Sequence, residues 1–262
     1  MYPILFEIAG FRVDTYSVMW FMALSLAIVW VIHRLELYNI DEDEARKIMS
    51  VSFLFMLLGA HAPEYFSHWR EYLNSPSLFL NFNRGGLHEA GALLGAFISS
   101  LLLSLFSKKV SFLKLCEAAA IPAMLSISIG RWGCFLNGCC LGLPTKFFTG
   151  VHFPFDKTGL FRHPVQIYYS ITTLIIVVLL LLIEKIIDRK YKLSNSDSII
   201  APLALISYSF MRLFVDFVRA SQSLSWRISN VWNYKAIAIL LPLECIWLLY
   251  GIRKLNKLTA TS

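Results

Sequence analysis

Long apolar runs alternate with short polar connections along the whole chain. A helix of about 20 apolar residues crosses the roughly 30 Å of hydrocarbon in a bilayer. Runs of that kind recur at 15–33, 47–66, 87–106, 112–130, 165–183, 199–218 and 236–250. The purest is Leu174-Ile175-Ile176-Val177-Val178-Leu179-Leu180. The pattern predicts an all-α polytopic protein with seven transmembrane helices. It forms a single membrane domain over 1–262, with one long connection at 131–163 between spans four and five. Asp41, Glu42, Asp43 and Glu44 precede the second run and suit the first turn of a helix, where carboxylates complement its dipole.

Composition supports a membrane setting. Of 262 residues, 57% are hydrophobic and 16% charged, against about 25% charged in a typical soluble domain. Segment 1–14 carries Glu7, Arg12 and Asp14, so no cleavable leader is expected. The net charge of +7 suits anionic headgroups. The basic residues are scattered through loops, without the clustered stripe that nucleic acid requires. They are densest in the short loops after spans one, three and five and in the tail. This predicts an N-terminus outside and a cytoplasmic C-terminus. Trp20, Trp69, Trp132, Trp226 and Trp232 then fall near the outer face.

Candidate chemistry begins with Gly130-Arg131-Trp132-Gly133-Cys134-Phe135-Leu136-Asn137-Gly138-Cys139-Cys140-Leu141-Gly142, at the end of the fourth run. An intramembrane arginine costs about 2.5–3.5 kcal/mol on insertion scales and marks function by default. A snorkelling cation at a helix end is the plainer alternative. On the sixth run, Arg212, Asp216 and Arg219 share one helical face and form an Arg–Asp–Arg ladder. His61 and Glu64 are three apart near Pro63, and His88 and Glu89 are adjacent before the small residues Gly91, Ala92, Gly95 and Ala96. Pro164 suits the first position of the fifth helix, which puts His163 at its N-cap. Glu244 in the seventh run has no evident partner.

The five cysteines are an odd number, and Cys134, Cys139 and Cys140 follow a C-x4-C-C spacing unlike that of structural zinc sites. A zinc site completed by His163, a local disulfide through Cys134, a thiol activated by Arg131 and simple apolar packing are the alternative readings. No metal and no cofactor are expected.

Taken together, these motifs resemble the prolipoprotein diacylglyceryl transferase family. Gly130 through Gly138 is similar to GRxGNFxNGE, and His163-Pro164-Val165-Gln166-Ile167-Tyr168 to HPSQLYE. Arg212 through Arg219 is similar to RxxVExxR, and Gly85 through Gly95 matches the spacing of GGLxxHGGLxG. Gly59-Ala60-His61 is similar to part of GGRxGY. Ala90 stands where the family has its histidine, Cys134 and Cys139 where it has Asn and Glu, His61 where it has Arg, and Tyr169 where it has Glu. Phe21 stands where the first span has Tyr.

The resemblance implies transfer of a diacylglyceryl group from phosphatidylglycerol to the lipobox cysteine of a prolipoprotein, in the bacterial inner membrane. It implies phosphate contacts from Arg131 and Arg212, with Asn137, Gly142, His163 and Arg219 lining the lipid site. His88 and Glu89 are the nearest replacements for the missing base. Cys134, Cys139 and Cys140 are candidates for a thiol role, such as a covalent carrier. The alternatives are a divergent paralogue with another acceptor, and an anionic-lipid-binding or transport protein without the chemistry.

Overall fold

The structure is a computed structural model and describes residues 1–8, 11–75, 89–192, 198–220 and 224–260. It is largely helical. The helices are α1 (Thr15–Leu35), α2 (Glu42–Ser67), α3 (Trp69–Asn74), α4 (Glu89–Phe106), α5 (Phe112–Asn137), α6 (Val165–Tyr191), α7 (Ile200–Asp216) and α8 (Leu224–Ala260). Two short antiparallel hairpins accompany them. One pairs β1 (Ile4–Ile8) with β2 (Phe11–Asp14), and the other pairs β3 (Val151–His152) with β4 (Phe161–Arg162). Among the described residues, three segments are long and apolar enough to cross a membrane: Thr15–Tyr38, Phe112–Asn137 and Val165–Tyr191. Gly91–Phe106 is apolar but shorter.

The chain divides into two compact units, Asn39–Leu115 and the combination of Met1–Tyr38 with Cys116–Ser262. In the smaller unit, α2 begins as its acids predict. Asp41 Oδ1 accepts the Glu44 backbone N–H at 3.0 Å, the bond of a capping residue. The helix runs through Pro63 to Ser67. It then meets α4 backbone to backbone: a Cβ on Gly59 would lie 2.3 Å from the Gly91 carbonyl oxygen, and one on Gly95 would lie 2.2 Å from that of Phe55. The small-residue face expected on α4 is thus used at 91 and 95.

The larger unit has two polar anchorages that carry the weight of burying charge. At the end of α1, Arg34 is 2% exposed. Its Nη1 donates to Glu184 Oε2 of α6 at 2.8 Å, and its Nε donates to the Ala118 carbonyl of α5 at 2.8 Å. The Tyr38 hydroxyl donates to Glu184 Oε1 at 2.7 Å. Beside this, the Glu117 carboxylate accepts the backbone N–H groups of Ile199, Ile200 and Ala201 at 2.8, 2.9 and 2.9 Å. It therefore satisfies the orphan donors that open α7. Glu244 of α8 also finds its partner, the Ser209 hydroxyl of α7 at 3.3 Å.

At the other end of the same unit, the Tyr2 backbone N–H donates to the Leu136 carbonyl at 3.0 Å, so the N-terminal hairpin sits on the end of α5. Trp20 of α1 packs against α5 where a Cβ on Gly130 would lie 2.7 Å from its indole. Val165 and Tyr169 of α6 join Met211 and Val215 of α7 in a buried core.

Helix boundaries shift from the sequence expectation at several ends. α5 continues past Gly130 to Asn137, so Arg131 lies inside a helix. α6 starts at Val165 with Pro164 at the N-cap position, which puts His163 one residue further out than expected. α8 runs from Leu224 to Ala260, well beyond 236–250.

Candidate functional site: arginines around Tyr169

The larger unit gathers three of its arginines around one tyrosine and one aspartate. Arg131 is 3% exposed on α5 and Tyr169 is 1% exposed on α6. The Arg131 guanidinium carbon lies 4.5 Å from the Tyr169 ring centroid. That of Arg212 lies 5.6 Å from the same ring. Both fall within cation–π range, worth about 0.5–2 kcal/mol each as desolvation increases. The Tyr169 hydroxyl donates to Asp216 Oδ1. Asp216 Oδ2 accepts Arg212 Nε at 2.9 Å, one turn away on α7. Arg219 Nη1 stands 3.8 Å from Asp216 Oδ1. The Arg–Asp–Arg ladder therefore forms, although α7 ends at Asp216 and Arg219 sits in the turn beyond it.

The turn is held by strand-like pairing to the segment after α5. Leu143 N–H donates to the Val218 carbonyl at 2.7 Å, Ala220 N–H donates to the Leu141 carbonyl at 3.0 Å, and Gly142 bridges Arg219. Gly142 is required by close approach: a Cβ there would lie 2.2 Å from the His163 carbonyl oxygen. Gln166 Nε2 donates to the Cys139 carbonyl and ties the start of α6 to the end of α5.

Asn137 closes α5. The His163 ring turns to Tyr168, with Nδ1 3.1 Å from the hydroxyl, which Thr149 also contacts at 2.7 Å. Arg131, Arg212 and Arg219 thus come together, Gly142 pairs with Arg219, Asn137 ends the helix that carries Arg131, and His163 contributes its backbone at Gly142. His88 lies outside the described residues. Glu89 opens α4, but its side chain is also outside what the structure describes.

The three cysteines converge as well. The sulfur atoms of Cys134, Cys139 and Cys140 all lie within 4.8 Å of one another. All five cysteines are free thiols. His163 does not join the cluster, which corrects the four-ligand zinc reading.

Sequence reasoning missed Tyr169 as the centre of the site. The available signal was its place beside the HPxQxY motif, four residues after Val165 on one face of α6. It also missed Arg34 with Glu184, because an arginine at the end of an apolar run reads as a loop charge.

This arrangement defines a class: a helical protein with membrane-length helices and a buried arginine cluster suited to an anionic group. Similarity narrows the class. The family model described as prolipoprotein diacylglyceryl transferase matches residues 3–250. The phosphatidylglycerol–prolipoprotein diacylglyceryl transferase of Clostridium novyi (strain NT) is 34% identical over 225 residues, covering 84% of each chain. That of Clostridium tetani (strain Massachusetts / E88) is 29% identical over 224 residues, covering 84% of this chain and 86% of its own. That of Listeria innocua serovar 6a is 25% identical over 248 residues, covering 90% and 86%. The chain belongs to the prolipoprotein diacylglyceryl transferase family.

Proposed function

We propose that this protein transfers the diacylglyceryl group of phosphatidylglycerol to the cysteine thiol of a prolipoprotein, as a single seven-span domain of the bacterial inner membrane. Membership of the family supports the reaction. The observation that carries the reading is the pair of guanidinium groups, Arg131 and Arg212, held against one buried ring. Guanidinium forks match phosphate oxygens bidentately.

In the reaction the acceptor thiol loses its proton, and its sulfur forms a bond to the terminal glyceryl carbon. The bond from that carbon to the phosphate ester oxygen breaks, and glycerol phosphate leaves. Charge grows on the departing phosphate, where Arg131 and Arg212 stabilise it. Asp216 and Tyr169 position Arg212, and Arg219, Asn137, Gly142 and His163 line the lipid headgroup. The thiol proton goes to His88 or Glu89, assigned from sequence alone. A free thiol has a pKa of about 8.5 and needs such a base at neutral pH.

Orientation with the N-terminus outside is supported by the basic loops, and Tyr2 is seated on the end of α5. That contact puts the N-terminal hairpin at the same end of the larger unit as the connection after α5.

The test is a product assay. Purified protein is incubated with phosphatidylglycerol micelles and a lipobox peptide, and mass spectrometry looks for a diacylglyceryl thioether and free glycerol phosphate. Both products are expected, with Arg212→Ala lowering turnover about 100-fold or more, as for loss of one oxyanion donor. Ala90 at the family's histidine position favours one rival, an anionic-lipid-binding protein without the chemistry. Bound lipid with neither product establishes that rival.

A further inference from the structure

The end of α5 brings together three thiols that the transfer reaction does not require. The way it does so follows from helix termination. Gly138 has φ +70° and stands at the C′ position. Its N–H donates to the Phe135 carbonyl at 3.1 Å, and the Cys139 N–H donates to the Cys134 carbonyl at 3.2 Å. These are the two bonds of a Schellman motif, which sets the residue after C′ against the residue five positions earlier. An apolar pair usually fills that contact. Here it is Cys134 with Cys139, so the spacing C-x4-C is the spacing of the cap itself. Cys140 follows with φ +58°, in the left-handed region. Its sulfur returns to the other two, and all three lie within 4.8 Å of one another.

We propose that Cys134, Cys139 and Cys140 form a three-sulfur site for a thiophilic closed-shell cation, the class to which Cu(I) and Zn(II) belong. A metal–thiolate bond of about 2.3 Å places the sulfurs of a planar three-coordinate site about 4.0 Å apart. The triangle in the free protein needs to contract by less than an ångström. Thiolates select soft cations of this kind over magnesium or calcium. Cys139 Sγ also stands 3.5 Å from the Cys134 carbonyl oxygen, which keeps the thiols together on the cap. Binding converts three S–H bonds into three S–metal bonds. The protons pass to solvent and no oxidation state changes. A disulfide would use two of the sulfurs and leave the third unexplained. The sequence spacing alone supports no metal, because the third and nearest contacts exist only once the cap has formed.

The test uses full-length protein, reduced and then freed of reductant in detergent under nitrogen. Cd(II) serves as an optical probe, through its ultraviolet thiolate charge-transfer band, and Cu(I) and Zn(II) are then competed against it. The expected result is saturation at one equivalent and displacement of Cd(II) by at least one of the two. The band disappears in Cys139→Ser and Cys140→Ser and persists in Cys116→Ser and Cys245→Ser. A second readout needs no variant. Bound cation protects Cys139 and Cys140 from iodoacetamide while the exposed Cys245 continues to react. A band that survives in Cys140→Ser, or alkylation unchanged by cation, overturns the proposal. So does a reduced protein that takes up no cation and reoxidises to a disulfide within the cluster. None of these readouts depends on lipid transfer, so the outcome stands apart from that of the product assay.

Discussion

Asp216 shows how much rests on one carboxylate. Its side chain is 1% exposed and faces Arg212 at 14%. It also accepts the Tyr169 hydroxyl. Removing one partner of a buried ion pair leaves the other charge uncompensated, at a cost of about 3–5 kcal/mol. Asp216→Asn should therefore destabilise the protein by about that amount, read as a lower melting temperature in detergent. Tyr169→Phe keeps the ring for both guanidinium groups and loses one hydrogen bond, so its cost should be nearer 1–3 kcal/mol. A melting temperature for Asp216→Asn equal to that of the wild type would mean that the carboxylate does not organise the cluster. The two variants also separate roles. Tyr169→Phe should retain phosphatidylglycerol binding, while Asp216→Asn frees Arg212 from its set position and should weaken it.

At the scale of elements, the packing depends on how helix ends are closed. Glu117, fully buried on α5, satisfies three N–H groups at the start of α7. Glu117→Ala strands these donors, each costing about 1–3 kcal/mol when buried and unpaired. The expected loss exceeds that for Glu117→Gln, which keeps one acceptor oxygen. Equal melting temperatures for Glu117→Ala and the wild type would remove Glu117 as the cap of α7. The hairpin of β3 and β4 is fastened by another carboxylate. Asp156 Oδ2 meets Arg162 Nε at 2.5 Å, and Arg162 Nη1 reaches the Gly142 carbonyl at 3.2 Å. Arg162, with help from Thr158, holds the Asp156 carboxyl below its usual value of 3.8. A depressed folded pKa means that the stabilisation is present in full above the unfolded value and is lost as pH falls through the folded one. Protection of this hairpin from amide exchange should therefore be full above pH ~4 in the wild type and decline progressively as the pH falls below it. In Asp156→Asn it should be weaker at neutral pH and insensitive to acid across that window. An acid dependence unchanged by Asp156→Asn would assign the titration elsewhere.

The elements of the chain were legible where hydrophobic runs are long. α1, α5 and α6 lie where the apolar pattern puts them, and the acids before α2 cap it. The ends were less legible, because tertiary contacts set them. The fourth span was expected to end at Gly130, yet Gly130 and Gly133 lie inside α5, where the absence of a side chain admits Trp20 and Met19 of α1. The arginines of the site were visible as charges out of place. Tyr169 was visible only as a departure from a family motif, since its contacts with Arg131, Arg212 and Asp216 appear only once the helices are packed. The cysteine triangle was hidden for a similar reason: C-x4-C-C gains meaning only through the helix cap that folds it back.

For the whole molecule, the alternation of helix ends inside the larger unit bears on orientation. α1 begins after the hairpin seated on α5's end and finishes at Arg34, beside Glu184 near the end of α6. α5 runs from Glu117 towards Arg131, α6 from Tyr169 towards Glu184, and α7 from the Glu117 cap to Asp216. α8 passes Ser198 near its far end, where a Cβ on Gly251 would lie 1.9 Å from the Ser198 carbonyl oxygen. The arginine cluster and the hairpin of β3 and β4 thus share one end of this unit, and the buried Arg34–Glu184 pair, with the last turns of α8, marks the other. With the cytoplasmic C-terminus proposed above, the arginine cluster is expected to face outward, the side on which the proposed prolipoprotein acceptor would present its cysteine. The prediction can be checked with epitopes at Gly159, which has open space around it and φ +64°, and at the C-terminus. In intact spheroplasts, added protease should remove the Gly159 epitope and spare the terminal one. Lysis should then expose both. Cleavage of the terminal epitope in intact spheroplasts would invert the topology and place the arginine site at the cytoplasmic face, where an exported acceptor could not reach it.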